Sequence, residues 1–258
     1  MENAASGIAK YIRDNFTKDS SLLIVAGAGN NGADGIVLAR QLHGDYDVRL
    51  QLPLGVKSPM AQLQWERAKK LGVKEVTVLE DADIIVDAIF GAGLNKPLSE
   101  DVQRIIYQLN SFKGYKIACD VPSGVGQKGV MPVAFMADTT FTMGARTEAL
   151  YLDANKDHVG EIVCVNLGIS SIFYGGESQT FVLEQSDLKL PSRTRQNSHK
   201  GSFGHAAVFC GEKEGAGIIS GMAATSFGAG LTTLLVHEKV TPPPYLMHST
   251  VVPENASA

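Results

Sequence analysis

The chain has 258 residues, 44% of them hydrophobic and 19% charged, enough for one large domain or two smaller ones around a substantial core. Its net charge of −4 excludes the broad basic surface that nucleic acid or an anionic membrane demands, and the one basic cluster, Lys189 to Lys200, reads at least as well as a solvated linker. The N-terminal stretch MENAASGIAKYIRDNF carries charges throughout and lacks the apolar core of a signal peptide, and no window reaches the length of a membrane span, so a cytoplasmic protein is expected.

Ile8, Ile12 and Phe16 recur at i, i+4 and i+8 and predict a helix over 2–16. SLLIVAG (21–27) is a continuous apolar run, the mark of a strand buried on both faces. GADGIVLARQL (32–42) predicts a helix and YDVRLQL (46–52) a strand. A helix over 59–71 and a strand EVTVL (75–79) follow. DIIVDAIFG (83–91) is a second buried strand. SEDVQRIIYQL (99–109) opens on Ser99 and places acids in its first turn, as a helix N-terminus does. YKIACDVPSG (115–124) is a strand stopped by Pro122, with short strands expected near 138–143 and 161–167.

This alternation predicts right-handed βαβ units on a parallel sheet. Residues 186–203 are polar and basic and read as a boundary. Beyond it, HAAVFCG (205–211), a small-residue helix over 215–230 and LTTLLV (231–236) start a second βαβ unit, and the tail adds no further strand–helix pair. Cys119, Cys164 and Cys210 lie far apart in apolar runs without metal spacing and read as buried reduced thiols. The six histidines show no ligand spacing either.

Three loops carry candidate chemistry. In VAGAGNNGADG, Gly27, Gly29 and Gly32 match G-x-G-x-x-G after a strand and at a helix start, where backbone N–H groups meet a phosphate. A purely structural turn is the alternative. A dinucleotide dehydrogenase also needs an acid at the end of the next strand to hold the ribose. Here that strand ends Leu50-Gln51-Leu52-Pro53, with none. Asn30, Asn31 and Asp34 add amide and carboxylate groups for a polar ligand or a hard cation; the alternative is that the two asparagines merely cap the helix.

In VDAIFGAGLNKPL, Asp87 falls within an apolar strand, where a carboxylate is costly unless paired or coordinating. It either faces a ligand site or satisfies neighbouring backbone amides. Gly91 and Gly93 then open another loop. In ACDVPSGV, Asp120 ends an apolar strand and is the acid/base candidate. Ser123 offers a hydroxyl but no G-x-S-x-G elbow. In a parallel sheet these three loops share the carboxyl edge and form one pocket.

In this order and spacing, GAGNNGADGIVLARQL, VDAIFGAGLNKPL and ACDVPSGV resemble the NAD(P)H-hydrate epimerase domain. HKGSFGHAAVFCG and GAGIISGMAATSFGAGLTTL resemble the opening of the ADP-dependent NAD(P)H-hydrate dehydratase domain, so nearly the full chain is similar to the bacterial bifunctional repair enzymes. The resemblance implies an epimerase half over 1–185, a Rossmann-like three-layer α/β fold with a parallel sheet, and an incomplete ribokinase-like βαβ segment over 186–258.

It further implies interconversion of the R and S epimers of hydrated NADH or NADPH, the S epimer then being dehydrated at the expense of ADP or ATP. The hydrate would be held by Asn30, Asn31, Gly32, Ala33 and Asp34, by Gly91, Ala92, Gly93, Leu94, Asn95, Lys96 and Pro97, and by Asp120, the catalytic residue. A potassium ion would lie near Asn31, Asp87 and Ser123, all hard oxygen donors.

Three departures from the family pattern stand out. Ala33 replaces a usual glycine, and its methyl is expected to narrow the phosphate approach. An additional N-terminal helical segment is expected to be missing, and with it part of the pocket wall. The GTGD-like loops of the dehydratase half are absent, so no dehydratase activity is expected. The partners expected are a small-molecule substrate and further copies of the chain, with neither nucleic acid nor membrane. The competing readings are a non-catalytic nucleotide-binding scaffold and, disfavoured by the missing ribose acid, a dehydrogenase.

Overall fold

A computed structural model describes residues 1–94, 96–174, 180–189, 194–237 and 240–250. The chain divides into two compact units, Met1–Thr180 and Phe181–Ala258. The first unit runs α1 (Glu2–Asn15), β1 (Ser21–Ala26), α2 (Asn30–Leu42), β2 (Asp47–Gln51), α3 (Pro59–Lys70), β3 (Ile84–Ala88), α4 (Glu100–Ser111) and β4 (Tyr115–Cys119). It continues with a short hairpin, β5 (Val125–Gly126) and β6 (Gly129–Val130), then β7 (Thr139–Met143), the one-turn α5 (Lys156–Val159) and β8 (Glu161–Val165).

Six strands form one parallel sheet in the order β2-β1-β3-β4-β7-β8. The apolar runs predicted as buried strands sit at its centre, and their period of two feeds both faces. Leu22, Ile24 and Ala26 of β1 join a core with residues of α1, α2 and α3. Leu23 and Val25 join a second core with α4 and residues 133–137. Helices on both faces give the three-layer α/β architecture. Side chains such as Phe141 and Phe135 are fully buried, and each large apolar side chain so buried contributes about 1.5–3 kcal/mol.

Local chemistry sets the element ends. Ser58 Oγ accepts from the Ala61 N–H at 3.1 Å with Pro59 at the first helical position, so α3 starts there. β3 stops at Ala88, short of the expected residue 91, because Asp87 Oδ1 takes the Ile89 N–H at 3.0 Å and draws the backbone out of the ladder. Ser99 is the N-cap of α4, but its side chain makes no cap hydrogen bond; Glu100 and Asp101 supply the negative charge of the first turn.

Some expectations fail. EVTVL is not a strand: it makes one bridge, Leu50 to Glu75, and Val78 is exposed, because β2 ends at Gln51 and leaves nothing to pair with. Cys164 is exposed because β8 is an edge strand, whereas Cys119 and Cys210 are buried.

In the second unit, β9 (His205–Phe209), α6 (Glu214–Ser226), β10 (Leu231–Val236) and β11 (Met247–Thr250) form a parallel sheet in the order β11-β10-β9. The third strand lies in the tail, where no further strand–helix pair was expected, and no helix follows it among the described residues. It pairs from Met247 onward with Thr233 onward, and Leu246 beside it joins the core of Cys210, Leu234 and Val236. No helix among the described residues is long and apolar enough to cross a membrane.

Candidate functional site

The chain leaves β1 toward β2 on one side and returns to β3 on the other. This reversal opens a crevice at the carboxyl ends of β1 and β3. The loop after β1 and the start of α2 form one wall, and the loop after β3 forms the other. The Gly27 N–H donates to the Ala88 carbonyl at 2.9 Å and ties the walls together. Gly32 packs directly on the Gly27 carbonyl, where a Cβ would collide with backbone. The glycine spacing thus lets the helix start beside the strand end, and α2 begins at Asn30, two residues before the expected start.

The resulting cavity has a volume of about 560 Å³. Gly29, Asn30 and Asn31 line it at the N-terminus of α2, where helix N–H groups lack intrahelical acceptors and the dipole favours an anion. Leu54, Ile89, Leu98 and Val102 give it an apolar wall, and Lys96 and Ser99 add polar groups. The N-cap of α2 is Gly29, without a side-chain cap bond. The amide of Asn31 is buried with neither its oxygen nor its nitrogen hydrogen-bonded, so the capping alternative does not account for it.

Behind this amide wall lies a polar knot. Asp87 is fully buried. Its Oδ1 accepts from the Ile89 N–H at 3.0 Å and the Ser123 hydroxyl at 2.7 Å, and its Oδ2 accepts from the Ser123 N–H at 2.7 Å. Ser123 Oγ in turn accepts from the Phe90 N–H at 3.0 Å. The backbone-pairing role left open for Asp87 is therefore realised. Burial pushes its carboxyl up to about 6, against the pull of these hydrogen bonds. Asp87, Ser123 and Asn31 offer a carboxylate, a hydroxyl and an amide oxygen, a hard donor set suited to an alkali cation. Among the described residues no group of three or more His, Cys, Asp or Glu side chains is arranged to hold a metal.

Asp120 follows β4 with φ of 71°, the one non-glycine left-handed residue recorded among the described residues. Aspartate tolerates this conformation better than most residues, at a cost that marks functional sites. The turn swings its carboxylate back onto the loop after β3. Oδ2 accepts from the Ala92 N–H at 2.8 Å and fills the space a Cβ on Gly91 would occupy.

Asp34, the fifth residue of α2, lies close enough to Asp120 to feel its charge. Its Oδ1 lies 3.6 Å from the Met1 amino group. Burial pushes its carboxyl up to about 6; the Met1 charge opposes this and the charge of Asp120 adds to it. Cys119 lies among these acids, and burial pushes its thiol well above the ordinary range.

Of the residues the sequence singles out, Asn30, Asn31, Gly91, Gly93, Leu94, Lys96 and Pro97 line the cavity. Asn95 lies outside the described residues. Gly32, Ala33, Asp34, Ala92 and Asp120 stand off that lining. Ala33 is fully buried in the helix-side core, so its methyl does not narrow the cavity as expected. Sequence reasoning missed the titratable character of Asp34. It also missed the β5–β6 hairpin, which Gly126-Gln127-Lys128-Gly129 signals as a tight turn.

The family described as YjeF-related protein N-terminus matches residues 1–149. Three similar relatives are each named bifunctional NAD(P)H-hydrate repair enzyme Nnr. That of Helicobacter pylori is 40% identical over 242 residues, which is 91% of this chain and 52% of the relative. Those of Escherichia coli and Dictyoglomus turgidum are 33% and 31% identical, over 94% and 93% of this chain and 50% of each relative. The chain spans about half the length of the curated relatives it matches. The crystal structure of yeast ynu0 has a TM-score of 0.51 and 22% identity over 58% of this chain and 72% of that one, a likeness of fold.

Proposed function

This chain belongs to the YjeF-related protein N-terminus family, and from that premise we propose that it is an NAD(P)H-hydrate epimerase, interconverting the R and S forms of hydrated NADH and NADPH in nicotinamide nucleotide repair. The names of the relatives support the repair role. The observation that carries the epimerase reading is Asp120, turned through a left-handed backbone onto the Gly91–Ala92 loop beside a cavity floored by a helix N-terminus.

In this reading the α2 start, with Asn30 and Asn31, receives the pyrophosphate. The apolar wall and the loop from Gly91 to Pro97 exclude water around the bound nucleotide. The Ala92 N–H holds the Asp120 carboxylate in one orientation. The Asp120 carboxylate takes the proton of the hydroxyl on the hydrated ring carbon as that carbon's bond to the ring nitrogen breaks and its C–O becomes a carbonyl, and it returns the proton to the oxygen when the nitrogen re-adds to the opposite face. Asn31, Asp87 and Ser123 would hold potassium, which would supply positive charge beside the buried Asp87 carboxylate. ADP- or ATP-dependent dehydration would need a complete dehydratase half, of which residues 186–258 resemble the opening, and the active species is a homo-oligomer.

The test is chromatographic. The R and S hydrates are mixed with the protein in potassium or sodium buffer and their interconversion is followed. Rapid interconversion, faster in potassium and at least about 100-fold slower in Asp120→Asn, is expected. An undiminished Asp120→Asn rate sinks the assignment. Hydrate binding without turnover replaces it with a nucleotide-binding module.

A further inference from the structure

Asp120 stands between two cavities, and the reading above uses only one of them. The second has a volume of about 500 Å³. Val121, which follows Asp120, lines it together with Ala92, whose N–H the Asp120 carboxylate accepts. Gly91 lines the first cavity and Leu94 lines both. The roof of the second cavity is the β5–β6 hairpin, with Thr147 and Ala149 across from it.

This space is framed by buried hydrogen bonds. The fully buried Asn155 donates through Nδ2 to the Gly126 carbonyl at 2.9 Å and to the Ala149 carbonyl at 2.7 Å, holding the hairpin against the opposite wall. The Met131 N–H closes the hairpin base on the Gly124 carbonyl at 2.9 Å.

The two cavities differ in chemistry. The first joins an anion-binding helix start to an apolar wall, which suits a phosphate and a flat purine. The second offers Gln127, Thr147 and the backbone around Gly126 and Gly129, which suits a non-planar ring bearing a hydroxyl and a carboxamide. We propose that the cavity under the Val125–Val130 hairpin is a second subsite that takes the hydrated pyridine ring, the first cavity taking the adenosine half. The inference rests on the dinucleotide reading and deepens it: the ligand straddles Asp120.

Three titrations test it. On the wild-type chain, 5′-AMP and reduced nicotinamide mononucleotide should bind together, each leaving the affinity of the other within about twofold. Mutual exclusion, or no binding of either fragment, overturns the subsite. Thr147→Trp fills the second cavity from its rim and should weaken NADPH binding by at least tenfold while 5′-AMP changes by less than about twofold. Val130→Phe repeats the test from the hairpin wall, with a melting curve to check folding. Equal weakening of both ligands, or unchanged NADPH binding in both variants, overturns the proposal. A wild type that binds NADPH but does not epimerise its hydrate refutes the epimerase reading alone, and the titrations still decide the subsite.

Discussion

Replacing Asp34 with asparagine should stabilise the protein at neutral pH and impair turnover. Asp34 Oδ1 is buried without a hydrogen-bond partner, so an amide there breaks no hydrogen bond of that oxygen. Burial lifts the carboxyl from 3.8 to about 6, even with the Met1 amino group nearby. The folded state therefore binds this proton more tightly than the unfolded chain. For an acid so shifted, stability is highest below the unfolded value, falls as pH rises from 3.8 to about 6, and stays reduced above. At 1.36 kcal/mol per pH unit the reduction is roughly 3 kcal/mol. Asp34→Asn removes the titration. Urea unfolding should show the variant and wild type equally stable near pH 3, and the variant more stable by up to about 3 kcal/mol near pH 7.5. Epimerisation should fall at least about tenfold in the same variant, the trade-off expected of a carboxyl kept for function. A difference that does not change with pH, or a variant less stable at neutral pH, refutes the reasoning.

Gly91→Ala places a methyl where the Asp120 carboxylate sits. It should cut epimerisation by roughly 10- to 100-fold with little change in melting temperature, because the displaced carboxylate is partly exposed and is the acid–base group of the proposed function. Phe141→Ala removes a fully buried ring that meets Tyr11 edge-on at 5.0 Å; chemical denaturation should show a loss of about 3–5 kcal/mol. Asn155→Ala leaves the Gly126 and Ala149 carbonyls without their shared donor. It should cost about 1–3 kcal/mol in the same assay and speed amide exchange in the hairpin.

The central strands were legible in the sequence because burial on both faces writes itself as an unbroken apolar run, as in SLLIVA and IIVDA. The helices were legible from stripes such as Ile8 and Ile12. The edges were not. EVTVL has strand composition, but whether it pairs depends on how far β2 extends beside it. Cys164 lies in an apolar run whose exposure depends on β8 having a neighbour on one side only. The short β11 is polar and exposed, and its pairing with β10 is decided by the fold of the second unit.

The site divides in the same way. The sequence by itself determined the tight glycine loop after β1, through glycines spaced so that backbone approaches backbone. It also marked Asp87 and Asp120 as carboxylates set in apolar strands, where charge is costly without a purpose. Only the tertiary structure decided what those groups do to one another. It joined Asp87 to Ser123 across two strands, left the Asn31 amide without a partner and sent the Ala33 methyl into the core. It also turned Asp120 onto the neighbouring loop between two cavities. The physical reason is range. A strand's burial and a glycine's close approach are set by residues a few positions apart. Desolvation, orphaned amides and shared walls arise from groups 28 to 36 positions apart, and exist only once the sheet has brought them together.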